Sequence, residues 1–477
     1  MKEKSYQKRS EGLLVLLSIF SSAAAFYIAL TSLRGGLSSC VYAFILILFY
    51  MVGGLLFLCR QRALSTPGLM LGAAVTLCFG LCIRMSLLDH ISGDYVSFLS
   101  IWTETMRGMT IRQALSTPIG DYNMPYLYLI LLCSRLPFYD LYCIKLFSIL
   151  ADLFSAFGIM YLVGLFTGSE KKRFAGFALA LLLPTTWLNS AYWGQCDSVY
   201  GALAIWGLYC ALSKKSRRAM VLLALSFSFK LQALFLLPIC IFLYASGRIR
   251  LRDIPFFPAA FLAVMLPALL GGRSFYDTFS IYFSQATAYP YLSLNAPSFW
   301  SIISNDYFDE LSGAPVLICG GALMLVFILF LSGSRKIRKR EMLAMSLLFC
   351  LMIPWLLPRM HERYFYLAEM LSIAYALVYN RRHAVLVILM GGGFLIYSAY
   401  LFGEVPILSL RLIAAIYGLL LLYIAFALWR DTAYAPPAAG CAEKGKNERK
   451  AQTDIKIVPT ETVDEPIAPA VPAQTGE

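Results

Sequence analysis

The 477-residue chain is 59% hydrophobic and only 14% charged, with a mean hydropathy of +0.69 and a formal net charge of +13. A soluble domain of this length has no way to bury so much apolar surface, which excludes a soluble globular protein. Stretches near the ~20 apolar residues needed for one membrane crossing recur along the chain, and the period-2 alternation of a membrane barrel is absent.

The fold class is therefore all-α, a polytopic helical membrane protein. In such a protein the basic excess reads as topology, because Lys and Arg stay on the cytoplasmic side. It does not imply nucleic acid. The 12 cysteines stand mostly singly in apolar runs. No CxxC pair or His-Cys cluster suggests zinc, so they read as small buried hydrophobes.

Lys2, Lys4, Lys8 and Arg9 place the N-terminus inside, ahead of a first span at about 11–33 that reads as an uncleaved helix. The second span, about 40–58, returns to Arg60 and Arg62, and the third, about 68–88, leads outward. The acidic stretch with Asp89, Asp94, Glu104 and Asp121 then lies outside. Residues 122–136 are short for a span and carry Pro125, Tyr126 and Tyr128, so they are placed as a helix in the outer interface. Spans follow at about 141–166, inward to Lys171–Arg173, at 174–191, outward to Trp193–Asp197, and at 198–212, back to Lys214–Arg218. The run 220–244 has basic flanks at both ends. One helix cannot bring both inside, so a helical hairpin turning at Ser228–Gln232 is predicted. A ninth span, about 255–271, leads to the largest outer loop, 272–314, and the tenth returns to Arg335–Arg340. The eleventh, about 341–358, delivers Arg359–Tyr364 outside, the twelfth returns to Arg381–His383, and the last two are at about 384–402 and 407–429. Beyond Arg430 the chain turns to Pro, Ala, Thr, Glu and Lys, a composition of disorder. The spans read as apolar at mid-depth, and no internal repeat is visible.

Four polar motifs land on the outer side. Asp94 follows Gly93 and precedes Tyr95, Phe98 and Trp102, whose spacing fits an amphipathic interfacial helix. Asp94 reads as a general base for an acceptor hydroxyl, or more plainly as an N-cap; Ser92 is able to cap instead, and Asp89 is the second candidate base. Trp193-Gly194-Gln195-Cys196-Asp197-Ser198 opens the sixth span, with Gly194 permitting a turn or a close approach and Gln195 and Asp197 offering polar contacts; the plain alternative is a cap at Asp197 or Ser198. Lys230, near Gln232, is costly at membrane depth without an anion or partner, and a lipid phosphate suits it, unless it snorkels. Arg359, His361, Glu362 and Arg363 place two cations outside, against the topological trend, and suit a phosphate clamp in which Glu362 orients an arginine; the alternative is an interfacial ion-pair patch beside Tyr364 and Tyr366.

In order and side, these motifs resemble the GT-C glycosyltransferases, multi-span enzymes that use a polyprenyl-phosphate sugar and act on the outer or lumenal face. The chain is most similar to bacterial mannosyltransferase-like proteins related to the second mannosyltransferase of GPI-anchor synthesis, with a fainter likeness to the dolichyl-phosphate-glucose glucosyltransferases. Gly93-Asp94-Tyr95, Gly120-Asp121-Tyr122-Asn123, Trp193-Gly194-Gln195 with Asp197-Ser198, Phe229-Lys230 with Gln232, and His361-Glu362-Arg363-Tyr364 carry the likeness, over about 90–370. The resemblance implies a GT-C-like bundle of about 13–14 transmembrane helices with outer-face interfacial helices. It also implies a metal-independent inverting displacement, with Asp94 as base and no cofactor. Lys230, Arg359, His361 and Arg363 would bind the donor phosphate. Asp121, Tyr122, Trp193, Gln195, Asp197, Gln232, Glu362 and Tyr364 would bind substrate. The chain departs from the pattern in an extra pair of spans before the acidic loop, and in Arg363 where the glucosyltransferases typically have Lys, which leaves sugar and acceptor open.

On this reading residues 1–66 are an N-terminal transmembrane hairpin and 67–430 the catalytic membrane domain, with outer loops at 89–136 and 272–314. Residues 431–477 are a disordered cytoplasmic tail. A bacterial plasma membrane, an extracytoplasmic site and cytoplasmic termini are expected. The partners are a polyprenyl-phosphate sugar, a glycan, lipid or protein acceptor, and membrane lipids. Tyr289, Tyr291 and Trp300 are a candidate sugar platform. The competing class is a flippase of a polyprenyl-linked lipid, which needs mid-membrane polar residues and a repeat rather than an outer carboxylate base; a scaffolding protein fits the clustered motifs least.

Overall fold

The computed structural model describes residues 23, 41, 44–60, 64–331, 337–405 and 407–433. The first predicted span, residue 23 apart, and the tail from 434 onward lie outside the described residues. In chain order the helices are α1 (Phe44–Leu58), α2 (Pro67–Ser86), α3 (Ser100–Arg107), α4 (Ile111–Ser116), α5 (Met124–Arg135), α6 (Asp140–Gly164), α7 (Glu170–Leu182) and α8 (Pro184–Trp193). Then follow α9 (Asp197–Leu212), α10 (Ser216–Phe229), α11 (Ile239–Ala245), α12 (Phe256–Gly271), α13 (Phe275–Phe279) and α14 (Ile281–Thr287). The last five are α15 (Ala314–Leu331), α16 (Lys339–Leu356), α17 (Tyr366–Val378), α18 (His383–Phe402) and α19 (Leu410–Ala433). Two short strands, β1 (Ser293–Leu294) and β2 (Met360–His361), pair in parallel. The residues up to Thr432 form one compact unit, and its all-α character is as expected.

Among the described residues, six helices are long and apolar enough to cross a membrane, or seven if α7 and α8, bent by 40° at their junction, count as one. The protein is thus a multi-pass helical membrane protein. The predicted spans from the second onward fall on helical segments, but the fifth is broken at Pro184, the return arm of the 220–244 hairpin is a 3₁₀ segment and the seven-residue α11, and several helices are shorter than a bilayer. The α9 helix has 16 residues, α10 has 14 and α17 has 13. Such helices are tolerated because their ends stop inside protein, where other groups satisfy the freed backbone. The bend at Pro184 has the usual cause, a residue that cannot donate to the preceding turn. By contrast α12 and α15 turn Leu262, Leu266, Leu270, Leu317, Met324 and Ile328 outward. Helices apolar all round yet uncovered by protein are stable only against lipid.

The basic loops gather at one end. Lys172 Nζ donates to Asn380 Oδ1 at 2.8 Å, Lys339 Nζ to Leu165 O at 3.0 Å, and Arg248 Nη1 to Leu212 O at 2.8 Å. The predicted hairpin is present, since Arg250 N–H donates to Ser216 Oγ at 3.0 Å, bringing its two basic flanks side by side. Its turn is the break between α10 and the following 3₁₀ segment, at Lys230.

One expectation fails. The spans are not apolar throughout: Asp152, midway along α6, is fully buried and paired at 2.8 Å with the fully buried Arg84 of α2. Ser190 Oγ donates to the same carboxylate at 2.6 Å. Glu369 of α17 is buried too, with Thr185 as its donor. Lone polar letters in apolar runs were averaged away by hydropathy, whereas in three dimensions they find one another.

Candidate functional site

The stretch from Asp89 to Arg107 begins as α2 ends. Ser92 Oγ accepts from the Tyr95 amide at 3.2 Å, so Ser92 caps the helical stretch that begins with a π-turn at Tyr95–Leu99. Asp94 makes no capping bond. Its Oδ2 instead accepts from Trp193 Nε1 at 3.0 Å and from Gln195 Nε2. Ser92 Oγ also donates to Trp193 O at 2.6 Å, and Tyr122 Oη donates to Gln195 Oε1 at 3.0 Å. Residues some hundred positions apart are thereby held as one wall. Gly194 closes the π-helical end of α8 at φ +83°, the left-handed conformation that suits glycine, and lets Gln195 turn back. At Gly120, φ is +71° and a Cβ would sit 2.7 Å from the Trp102 ring, so this turn needs glycine twice over.

The second half of the site is charged. Asp197, fully buried, caps nothing with its side chain. Its carboxylate accepts from Lys230 Nζ at 2.6 Å and Asn189 Nδ2 at 2.8 Å, and lies 3.7 Å from Arg363 Nε. Arg363 Nη1 donates to Glu362 Oε1 at 2.9 Å, and the guanidinium lies 5.1 Å from the Trp193 ring centre. The Lys230 ammonium is 5.8 Å from the Tyr122 ring. His361 Nδ1 is 3.9 Å from Glu362 Oε2, and the His361 backbone is fixed by pairing with Leu294. Gln232 hydrogen-bonds Tyr364.

Tyr122, Lys230, Gln232, His361, Arg363 and Tyr364 border a cavity of about 620 Å³, and Asn189, Trp193, Asp197 and Glu362 stand behind them, outside its lining. Asp121, Lys230, Gln232, Arg359, His361 and Arg363 form its polar side, and Phe229, Leu234, Phe235, Val316 and Leu357 its apolar side. Val316 and Leu234 on the apolar side are themselves exposed. Burial and then the Asp94 charge hold the Asp121 carboxyl above the usual range, against the pull of Arg363. Burial keeps His361 below its ordinary value despite Glu362. Burial disfavours ionised Glu362, yet the nearby His361 and Arg363 together hold it below the ordinary carboxylate range. A second cavity of about 340 Å³ lies among Ile396, Ala399, Leu408, Leu410, Ile413, Asn295 and Tyr400. The two are neighbours, for Asn295 of the second bridges His361 of the first, and the Tyr400 ring lies 5.0 Å from that of Trp193.

Three expected site residues stand differently. Asp89 accepts from Tyr142 Oη and does not line the large cavity. Arg359, at φ +60°, commits its guanidinium to Tyr289 O at 2.7 Å and Ala286 O at 3.3 Å, tethering the 272–314 loop rather than waiting open for a phosphate. Asp94 lies behind Tyr122 and Gln195, outside the lining of the large cavity. Of the candidate platform, Tyr289 lines the cavity, but Trp300 is buried with its Nε1 on Leu356 O at 2.5 Å, a packing role. Asn189, Gln285, whose Nε2 donates to Asp121 O at 2.6 Å, and Tyr400 had no local sequence signal, being single polar residues made relevant only by long-range contact.

No protein-family model matches this chain, and no curated protein matches it.

Proposed function

We propose that the protein is a membrane glycosyltransferase that moves a sugar, mannose or a similar hexose, from a polyprenyl phosphate onto an acceptor hydroxyl at the end of the bundle opposite the basic loops. By the positive-inside rule that end is extracytoplasmic and the termini are cytoplasmic. The observation that carries this reading is the large cavity itself, with an apolar side of Phe229, Phe235, Leu357 and the exposed Leu234 and Val316 and a polar side of Lys230, Arg363, His361, Gln232 and Asp121. That division suits a molecule with a hydrocarbon tail and a phosphosugar head. Arg363 Nε and Gln232 Oε1 are buried without a hydrogen-bond partner among the described residues, a donor and an acceptor available to such a head.

In the proposed reaction the acceptor oxygen attacks the anomeric carbon while Asp94 takes its proton. Both bonds to Asp94 fall on Oδ2, and Oδ1 accepts none from the described residues. The bond between the anomeric carbon and the phosphate oxygen breaks, and its electron pair leaves with the polyprenyl phosphate. The phosphate's growing charge falls near Arg363 and Lys230, fixed donors in a partly dry site, which is worth a few kcal/mol of barrier.

The test is transfer from a radiolabelled polyprenyl-phosphate hexose by purified protein, with a crude acceptor extract. Wild-type transfer that disappears in Asp94→Asn supports both enzyme and base. Transfer that survives Asp94→Asn and is lost in Asp121→Asn keeps the enzyme and moves the base. The buried ionisable groups at Asp152 and Glu369 favour a second reading, a flippase of a polyprenyl-linked lipid. Lipid crossing in proteoliposomes without transfer from any donor would decide for it.

A further inference from the structure

The basic end holds its own cavity, of about 130 Å³, walled by Met160, Tyr161, Gly164, Leu165, Arg173 and Tyr209. It lies where α6, α7 and α9 meet. Arg173 is half-buried. Its Nε is buried with no hydrogen-bond partner, and no described acid pairs with its guanidinium. The Tyr161 hydroxyl is likewise buried and without a partner. The arginine stem rests on Gly164, where an added Cβ would stand 3.1 Å from Arg173 Cδ, so the glycine makes the seat. Tyr161 is held at 5.4 Å from Trp206 and 5.8 Å from Tyr209, ring centre to ring centre, and the Lys215 ammonium lies 5.8 Å from the Tyr209 ring. Nearby acids are engaged elsewhere. Glu170 accepts from the Ser65 and Thr66 amides at 3.0 Å each, and Asp253 pairs with Arg250 at 3.0 Å.

An arginine set in a cavity with no acid among the described residues, beside a buried tyrosine hydroxyl with no acceptor among them, is costly at its buried Nε unless an anion completes it. We infer that this cavity is a binding site for a phosphate group, with Arg173 and Tyr161 as donors and Lys215 as a nearby charge. Met160 and Leu165 border the same space, and α6, which carries Met160 and Gly164, is long and apolar enough to cross a membrane. A phosphodiester of an anionic phospholipid fits that mixed wall best, and basic pockets between helices at the cytoplasmic surface take such headgroups. Free phosphate shares the chemistry. The site shares no lining residue with the large cavity and does not depend on glycosyl transfer.

The experiment is binding to the delipidated full-length chain in detergent, followed by native mass spectrometry. The probes are dihexanoyl phosphatidylglycerol, dihexanoyl phosphatidylcholine and inorganic phosphate, and the proteins are wild type, Arg173→Gln, Arg173→Lys and Tyr161→Phe. One saturable phosphatidylglycerol site is expected, weakened about tenfold in Arg173→Gln and several-fold in Tyr161→Phe, the size of lost hydrogen bonds to a charged group. Phosphatidylcholine should bind more weakly. Inorganic phosphate binding with the same dependence on Arg173, without phosphatidylglycerol binding, keeps the phosphate site but overturns its lipid occupant. Phosphatidylglycerol binding equal in all four proteins overturns the site. Should Arg173→Gln not fold, Arg173→Lys, which keeps the charge but loses the fork, and Tyr161→Phe decide it.

Discussion

Asp197 is where the charged motifs meet, and its environment decides what Lys230 can do. Lys230 is not a bare cation awaiting phosphate but half of a buried pair. Removing one member strands the other, so Lys230→Met should lower stability by about 3–5 kcal/mol, read as a loss of thermal midpoint in detergent, and the double change with Asp197→Leu should recover part of it. The His361–Glu362–Arg363 group makes a pH prediction. The folded His361 has a depressed pKa, so the unfolded chain binds its proton first. Its effect on stability is therefore neutral well above about pH 6.5 and becomes destabilising as pH falls below it. Glu362, also depressed, adds stability that is present above about pH 4.3 and lost as pH falls further, through its folded pKa. Unfolding midpoints should thus fall in two stages on acidification, and His361→Gln should remove the first stage. A single-stage profile in wild type would sink this assignment.

At the scale of elements, the Arg84–Asp152 pair ties α2 to α6, and the 272–314 loop is tied to the site by Arg359 and by the β1–β2 ladder. Arg84→Leu should destabilise by about 3–5 kcal/mol, because it leaves a buried carboxylate uncompensated, whereas Arg84→Leu with Asp152→Leu should be much closer to wild type. Thermal unfolding of the single and double variants checks this. Arg359→Ala should leave the bundle stable but speed hydrogen exchange over 284–292 severalfold, since the carbonyls of Ala286 and Tyr289 lose their donor. Equal exchange in both proteins would mean that the arginine is not the tether. The helix order was legible because apolar runs and basic punctuation are local properties. The Arg84–Asp152 pair was not, because neither residue's short-range context differs from that of an isolated polar residue in a span.

For the whole molecule, sidedness is the sharpest test. Gln285→Cys, at the acidic end, should react with a membrane-impermeant maleimide in intact cells, and Arg250→Cys, at the basic end, only after permeabilisation. Both reacting from the same side would overturn the span order. The candidate site was partly legible. Asp94, Trp193, Gln195, Asp197, Lys230 and Arg363 were each conspicuous as polar residues at span ends, and the structure brings them together. Their division into a bonded wall and a cavity lining was not legible, nor was the engagement of Arg359 and Asp89 with other partners.

By itself the sequence determined the class, the helix order and the common end of the polar motifs, because hydropathy and charge act on each segment separately through its transfer between water and lipid. Only the tertiary structure decided which acid meets which base, that Asp94 is bonded to Trp193 and Gln195 rather than capping a helix, and which of the polar residues line a cavity. Those outcomes depend on contacts between residues up to about two hundred positions apart, such as Asn189 with Tyr397. In a low-dielectric interior each buried polar atom must find a partner, and which partner it finds is set by packing rather than by its neighbours in the chain.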